Sequence, residues 1–251
     1  MKTLKARSLD GIESFYSLMG DNTVDAENFV KEIDEILVEE SVENYNKCYE
    51  LCENELWKFQ DNGEFLWRYA MITYNTTILQ DLDEDIRNQR IFGAFNNALS
   101  AVKRSPRSSE AHKWLAILYG VTGLLSDTQK RILNGYKFKE HIDKCLNLNP
   151  LDGYANHLKG RFCYQVSNLH FYERKIAAWL FAAPPVATLD EALILFQKCE
   201  ELAPNKYGEN HYFLSLCYQS LGDYSKSSKF MKSAKELPCS DIDIKQKINM
   251  N

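Results

Sequence analysis

One pattern of polar and hydrophobic positions occurs three times along this chain, over residues 105–120, 149–161 and 203–222. Each copy has a proline, a short polar stretch, and then aromatic and aliphatic residues at helical spacing with a small residue among them. Apolar residues three and four positions apart line one face of an α-helix, and a small residue on that face lets a second helix approach closely. The pattern therefore predicts helical hairpins joined near prolines.

The spacing of the prolines indicates the length of each hairpin. Pro106, Pro150, Pro204 and Pro238 are separated by 44, 54 and 34 residues. The last interval is the period of the tetratricopeptide repeat, a helix–turn–helix unit of about 34 residues. The longer intervals indicate repeats with insertions. We therefore predict an all-α protein whose tetratricopeptide-like hairpins form a right-handed superhelix, an α-solenoid, with lengthened helices in the middle repeats.

The final unit, "GENHYFLSLCYQSLGDYSKSSKFMKSAKELP", resembles a tetratricopeptide repeat most clearly. Tyr218 stands where that repeat has a packing aromatic, Gly222 lies in the turn, Ala234 takes a small-residue position, and Pro238 closes the unit. The two preceding units have corresponding structural positions at Ala116, Tyr119, Cys145 and Pro150, and at Gly160, Ala192, Cys199 and Pro204.

Local signals predict where some helices begin and end. Thr188 with Glu191, and Ser126 with Gln129, have the capping-box form, in which the two side chains satisfy free backbone N–H groups. The insertion "HFYERKIAAWLFAAPPVATL" continues the helical pattern of the third unit. We expect the first helix of that unit to be extended or kinked before the proline pair at 184–185 redirects the chain.

These patterns predict four segments. Residues 1–22 are expected to be a flexible N-terminal tail. Residues 23–60 are expected to form an N-terminal helical hairpin packed on the array, residues 61–240 the repeat domain, and residues 241–251 a C-terminal tail.

Composition narrows the class of protein. Only six prolines and 11 glycines in 251 residues, with 45% hydrophobic residues, are typical of a helical globular chain. No secretory signal is visible, and the longest apolar run, "IAAWLFAAPPVATL", is too short and too broken by proline to span a bilayer. We expect a soluble, reduced, intracellular protein without a transmembrane segment.

The residues that usually carry catalysis or bind metals lack the required spacing. The seven cysteines include no CxxC pair, and Cys145 and Cys199 occupy small-residue packing positions. His112, His157 and His211 recur near the start of the first helix in three units, as a repeat position does. Nucleophile elbow, Walker and GxGxxG motifs are missing. The sequence predicts no enzymatic activity, no catalytic residue, no metal site and no cofactor.

Charge is distributed unevenly. Residues 1–64 hold 16 acidic and six basic residues, while the whole chain has a net charge of only −5. Basic residues cluster over 103–144 and along the last repeat helix, at Lys226, Lys229, Lys232 and Lys235. Such a face either keeps a terminal helix soluble or docks an acidic surface such as a tubulin tail or an anionic membrane. Further candidate contact residues, or structural ion-pair partners, lie among aromatic residues at Arg161, Arg174 and Lys175. Nucleic acid is not expected as a partner, because no recognition module accompanies the charge.

The ordered phrases "LWRYA", "AHKWLAI", "HIDKCLNLNPLD", "HLKGRFCYQV", "ERKIAAWLFAAPPVATLDEAL" and "ELPC" resemble the regulator of microtubule dynamics family over about residues 25–240. The resemblance implies a non-enzymatic repeat scaffold that binds microtubules and other spindle proteins. It implies a location in the cytoplasm and cytoskeleton, at the spindle and spindle poles, and a role in chromosome segregation.

Two alternatives remain open. Some members of this family are anchored at organelle membranes and one binds lipid, so the resemblance also allows a lipid-binding or lipid-transfer solenoid with an apolar concave channel. The second alternative is a general protein–protein adaptor. A chaperone-type clamp would need Lys and Asn at set places on successive first helices, and "LWRYAMI" lacks them.

Overall fold

The structure, a computed structural model, describes residues 24–169, 171–180 and 186–250. Within these ranges all regular structure is α-helical and no strand occurs, which confirms the predicted fold class. The helices are α1 (24–36), α2 (Val42–Phe59), α3 (Gly63–Leu79), α4 (Glu84–Arg104), α5 (Ser109–Leu124), α6 (Thr128–Leu148), α7 (Gly153–Ser167), α8 (Phe171–Leu180), α9 (Leu189–Leu202), α10 (Gly208–Ser220), α11 (Tyr224–Glu236) and α12 (Ile242–Met250). The expected tail over 1–22 and the proline pair at 184–185 lie outside the described residues.

The chain divides into two compact units, Met1–Arg107 and Ser108–Asn251. The boundary falls inside the segment 61–240, for which a single repeat domain is predicted. In the first unit α3 and α4 pair as a hairpin, and Ala94, Ala98 and Ala101 are fully buried along α4. Because these side chains are small, the two helix axes can lie close together.

The helices α1 and α2 attach to this hairpin through aromatic rings and one ion pair. Phe29 of α1 stacks on Phe59 of α2 with ring centroids 5.3 Å apart, and its centroid lies 6.0 Å from that of Phe65 on α3. Arg68 of α3 donates two hydrogen bonds to the carboxylate of Asp34, each 2.8 Å long. Residues 24–59 are therefore packed on α3 rather than separate from it.

The second unit contains three helical hairpins, α5–α6, α7–α9 and α10–α11. Small side chains occupy the positions where the paired helices meet. They are buried at Ala116, Cys145, Ala192, Cys199 and Ala234. Burial raises the pKa of the Cys145 and Cys199 thiols to about 12, so both stay protonated at neutral pH and pack as small apolar groups.

The joint between α6 and α7 carries a cap and a close helix contact. Asp152 precedes α7, and its carboxylate accepts a hydrogen bond from the Ala155 N–H at 2.9 Å. Further along α7, a Cβ atom on Gly160 would lie only 2.8 Å from Cε1 of Phe196 on α9. The Phe196 ring is fully buried and stacks on Phe213 with centroids 5.3 Å apart, so it has no room to withdraw. The missing side chain at Gly160 therefore allows the observed α7–α9 spacing.

The two predicted capping boxes have different outcomes. The box at Thr188 and Glu191 is confirmed, with both reciprocal hydrogen bonds present. The box at Ser126 is wrong, because Asp127 caps α6 and accepts from the Lys130 N–H at 2.9 Å. The Ser126 hydroxyl instead donates to the Thr122 carbonyl at the end of α5. A carboxylate is the stronger acceptor beside a helix N-terminus, where the backbone dipole is positive.

Of the two predicted forms of the first helix in the third unit, extended or kinked, the extended form is wrong. α7 ends at Ser167, and the following Asn168 side chain donates to the Tyr164 carbonyl at 2.8 Å. Arg174 then donates to the carbonyls of Ser167 and Leu169, both at 3.0 Å. These bonds satisfy the carbonyls of Tyr164 and Ser167 at the end of α7. Residues Phe171–Leu180 of the insertion form the separate helix α8. The longest described helices are α4 and α6, of 21 residues each.

The predicted C-terminal tail over 241–251 is also corrected. Residues Ile242–Met250 form α12, and Ile244 and Ile248 are buried in the core of the second unit. The carboxylate of Asp241 accepts a hydrogen bond from the Ile244 N–H at 3.0 Å, which starts this helix. A terminal repeat has one apolar face with no following repeat to cover it. α12 packs on α10 and α11 and covers part of that face.

Candidate functional site

The hairpin of α10 and α11 carries the predicted lysine cluster, and its turn has a fully hydrogen-bonded geometry. Gly222 has φ +79°, a left-handed conformation that glycine adopts without strain. The Asp223 N–H donates to the Tyr218 carbonyl at 2.9 Å and the Gly222 N–H to the Gln219 carbonyl at 3.0 Å. These two bonds form a Schellman motif, which ends α10. Asp223 then starts α11 by accepting from the Lys226 N–H.

Packing between the two helices is close along one side. The Ser215 hydroxyl of α10 donates to the Ser227 carbonyl of α11 at 2.8 Å. The rings of Tyr218 and Phe230 stack with centroids 5.6 Å apart. These contacts fix the rotation of α11 and so determine which of its lysines face which direction.

An open groove of about 390 Å³ runs between α10 and α11. Its lining is mostly polar and hydroxyl-bearing, and it consists of Ser215, Gln219, Tyr224, Ser227, Ser228, Met231, Lys232 and Lys235. Two of the four predicted contact lysines, Lys232 and Lys235, therefore border a concave surface.

The four lysines of α11 differ in their partners. Lys226 pairs with Asp223 at 3.0 Å, and its Nζ lies 5.0 Å from the centroid of the Tyr218 ring. The hydrogen bond to Asp223 raises the pKa of Lys226. Lys229, Lys232 and Lys235 are exposed, and no carboxylate of the described residues lies within 4 Å of them. Three positive charges on this helix are thus uncompensated by neighbours.

The equally basic segment of α6 is neutralised internally. Glu140 accepts from Lys137 at 2.9 Å and from Lys144 at 2.8 Å, and these bonds lower its pKa to about 2. Asp143 pairs with Lys139 at 2.6 Å and with Lys159 at 2.8 Å. The basic residues that dominate 103–144 in the sequence therefore produce less free positive charge than their number indicates.

Arg161 and Arg174, the other predicted contact residues, have structural partners. Arg161 pairs with Asp241 at 2.7 Å, and its guanidinium carbon lies 5.4 Å from the centroid of the Phe213 ring. It thereby links α7 to the residue that starts α12. The guanidinium of Arg174 is engaged by the backbone carbonyls that follow α7. Lys175 is exposed on α8.

The recurring histidines are buried in hydrogen-bonded contacts of the second unit. His112 and His141 share a 2.9 Å hydrogen bond between their Nδ1 atoms. His211 contacts Ser233 through Nδ1 and Glu200 through Nε2, at 2.9 and 2.7 Å. Among the residues that the structure describes, no group of three or more His, Cys, Asp or Glu side chains is arranged to hold a metal ion.

We expect the protein to lose stability in acid because His157 is buried in its neutral form. Its Nδ1 lies 3.1 Å from Oδ1 of Asn210, and its Nε2 is buried without a hydrogen-bond partner. Burial, aided by the charge of Arg161, lowers the pKa of His157 from 6.5 to about 3. Burial and the neighbouring His112 similarly lower the pKa of His141 to about 4. As the pH falls, the unfolded chain binds protons at these two histidines before the folded chain does. The stabilisation that comes from keeping them neutral is therefore complete above pH 6.5 and is lost as the pH drops toward 3.

At pH 5 the His157 contribution to this loss should be about 2 kcal/mol relative to pH 7.5. Urea denaturation of the wild type and of His157→Asn at both pH values measures it. Asparagine keeps a donor toward Asn210 but does not titrate. The free energy of unfolding of His157→Asn should therefore fall by about 2 kcal/mol less than that of the wild type between pH 7.5 and pH 5. An equal loss in both proteins would contradict this role of His157.

The arrangement of paired helices places the protein in the class of tetratricopeptide-like helical-repeat proteins. A crystal structure of a thermophilic TPR protein from Thermus thermophilus matches it with a TM-score of 0.57 and 15% identity, covering 89% of this chain and 97% of that one. At this identity the likeness shows the fold alone.

Sequence comparison identifies the family. The model of regulator of microtubule dynamics proteins 1–3 matches residues 29–249. Regulator of microtubule dynamics protein 2 of Bos taurus is 36% identical over 195 residues, covering 77% of this chain and 47% of that protein. Protein 1 of Bos taurus is 33% identical over 246 residues, covering 96% of this chain and 77% of that protein. The chain therefore belongs to the regulator of microtubule dynamics family.

The chain spans about half the length of several of these relatives, including protein 3 of Xenopus laevis, of which 42% is covered. Within the described ranges, no helix is both long enough and apolar enough to cross a membrane.

Proposed function

We propose that this chain is a non-enzymatic repeat scaffold that associates with microtubules through the lysine-rich surface of α11. Membership of the family supports a microtubule-related role. The unpaired side chains of Lys229, Lys232 and Lys235 support the choice of surface. The proposal extends to a location in the cytoplasm and cytoskeleton, at the spindle and spindle poles, and to a role in chromosome segregation.

Electrostatic attraction is the mechanism that this surface offers. Exposed lysines without protein partners are free to meet carboxylates on an acidic surface, such as a tubulin tail, without first breaking an ion pair. Each exposed contact contributes at most about 1 kcal/mol, so several must act together. The Debye length is about 10 Å at 0.1 M salt and shrinks as salt is added. Binding should therefore weaken steeply with ionic strength.

The aromatic residues favour a scaffold over a lipid channel. Rings that could have lined an apolar channel pack against one another instead. Phe138 stacks on Phe162 with centroids 5.9 Å apart, Phe196 stacks on Phe213, and Tyr164 meets Phe213 edge-on at 5.5 Å. The groove between α10 and α11 is lined mainly by polar and charged residues. Extractable lipid in the purified protein would favour the lipid-binding alternative.

The proposal is tested by reversing the charge at Lys226, Lys229, Lys232 and Lys235 together, each to Glu. We expect affinity for microtubules in co-sedimentation at low salt to fall at least about tenfold, since the exposed contacts of Lys229, Lys232 and Lys235 are lost. Wild-type affinity should fall progressively as NaCl is raised.

The matched control reverses four lysines of α6: Lys130, Lys137, Lys139 and Lys144. It changes the net charge equally, but three of these lysines are already paired with carboxylates. We expect it to retain most of the affinity. Circular dichroism should show that both variants are folded. Unchanged binding by the folded α11 variant would refute the choice of surface.

A further inference from the structure

The four lysines of α11 do not share one face of the helix. Successive residues of an α-helix are rotated by about 100°. Tyr224, Ser228, Met231 and Lys235 follow the i, i+4, i+7, i+11 spacing and form one stripe, and all four line the groove. Lys232 lies about 40° to one side of Ser228 and lines the groove as well.

The other two lysines point elsewhere. Lys229 is rotated by about 100° from Ser228 and Lys226 by about 160°. Neither lines the groove, and Lys226 is already paired with Asp223. The hairpin therefore combines two lysines at a concave surface with two on other faces of the same helix.

The groove offers hydrogen-bonding groups as well as charge. The side chains of Gln219, Tyr224 and Ser228 form no hydrogen bond with another described residue, and Tyr224 is 70% exposed. Ser215 and Ser227, by contrast, bond to each other at 3.1 Å and close the base of the groove. The free amide and hydroxyl groups can donate to, and accept from, the backbone of a ligand.

We propose that this groove binds an extended, acidic peptide segment of a partner protein, with Lys232 and Lys235 contacting its carboxylates. The stripe from Tyr224 to Lys235 is about 16 Å long at 1.5 Å per residue. An extended peptide rises about 3.3 Å per residue, so about five residues fit. Its alternate side chains point to the same side, which suits acidic residues at every second position.

The composition of the lining favours a peptide over a membrane surface. The hydroxyl groups of Ser227 and Ser228 can form hydrogen bonds with the backbone of a peptide. Apart from Tyr224 and Met231, the lining offers no large apolar side chain to insert among lipids. The inference rests on the proposed function, because an acidic tail on a microtubule is a ligand of this chemistry.

A second cleft, of about 350 Å³ in the first unit, is a weaker candidate. It is lined by Gln60, Ser100, Lys103 and Arg104. Arg104 is already paired with Asp61, so less free positive charge is available there.

The test uses the full chain and a fluorescein-labelled peptide of eight glutamates, with a peptide of eight glutamines as its neutral counterpart. Binding is measured by fluorescence anisotropy at low salt. The variants are Lys232→Gln with Lys235→Gln, and Lys226→Gln with Lys229→Gln, which remove equal charge from the same helix. We expect the first pair to lose affinity for the glutamate peptide by about fivefold or more and the second by less than about twofold.

A third variant changes shape without charge. Ser228→Phe should obstruct the groove and lower peptide affinity while leaving the net charge the same. Equal losses in the two lysine pairs, together with no effect of Ser228→Phe, would overturn the inference and leave only general electrostatic attraction. So would a wild type that binds neither peptide but binds vesicles containing phosphatidylserine.

Microtubule co-sedimentation of the same proteins separates the two proposals. If the wild type co-sediments but the lysine pairs lose peptide affinity equally, the groove assignment is wrong and the microtubule function stands. If the wild type fails to co-sediment but only the Lys232 and Lys235 pair loses the peptide, the groove binds an acidic peptide and the microtubule function fails.

Discussion

Replacing Gly160 with leucine should lower the free energy of unfolding by about 3 kcal/mol, the upper end of the usual cost of overpacking a core. A Cβ atom alone would come within 2.8 Å of the Phe196 ring. That ring is held by Phe213 on one side and by His157, whose ring centroid is 5.6 Å away. Because neither helix face can yield locally, α7 and α9 must separate. Chemical denaturation followed by circular dichroism measures the effect.

Gly135 on α6 provides the matched control, because a Cβ atom there meets nothing within 4 Å. Gly135→Leu should be neutral or stabilise the protein by up to about 1 kcal/mol, since leucine favours helices more than glycine does. If the two substitutions had the same effect on stability, the close approach of α7 and α9 at Gly160 would not be the cause.

Replacing Lys113 with methionine should cost about 3 kcal/mol, because it leaves the nearly buried carboxylate of Asp152, and the partly exposed one of Glu110, without their partner. The Lys113 ammonium donates to Glu110 at 2.7 Å and to Asp152 at 2.8 Å. The side chains of Lys113 and Asp152 are only 13% and 9% exposed. Burial alone would lower the pKa of Lys113, but Glu110 and Asp152 outweigh it and raise the pKa above its ordinary value. The pair also links α5 to the residue that caps the start of α7.

Two variants isolate the charge effect. Lys137→Met removes an exposed lysine that pairs with Glu140 on the same helix, and should change stability by less than about 0.5 kcal/mol. Adding Asp152→Asn to Lys113→Met should recover part of the loss. Asparagine still caps a helix but leaves no buried charge there. If the variant with both Lys113→Met and Asp152→Asn were less stable than Lys113→Met alone, the unpaired Asp152 carboxylate would not be the source of the lost stability.

Several helix boundaries followed from residues a few positions apart. The Thr188–Glu191 box and the turn at Gly222 depend on local hydrogen bonds, so their residue types are informative in the sequence itself. The Ser126 prediction failed because Ser126 and Asp127 are adjacent and either side chain could cap α6. The Ser126 hydroxyl bonds to the Thr122 carbonyl instead, and Asp127 forms the cap. The end of α7 was missed because its Ser167 carbonyl is satisfied by Arg174, seven residues further along the chain.

The candidate site was only partly predictable. The repeat spacing placed the lysines on the last repeat helix, and their three-residue spacing already implies that the four side chains fan around its axis. The role of Arg161 could not be read locally, since its partner Asp241 lies 80 residues away. α12 could not be predicted locally either. Its short apolar pattern is stabilised as a helix by packing on the uncovered apolar face of the last hairpin.

The sequence by itself determined the all-α class, the repeated joints and the small residues at helix contacts, because these depend on periodicity and on interactions within one or two turns. Only the tertiary structure decided which charges pair between helices, such as Arg161 with Asp241 and Lys159 with Asp143. Lys137, Lys139 and Lys144 resemble the lysines of α11 in type and density, yet Glu140 and Asp143 of the same helix compensate them. Lys229, Lys232 and Lys235 remain unpaired because no acidic side chain of the described residues comes within ion-pair distance of them. That outcome depends on how the helices approach one another.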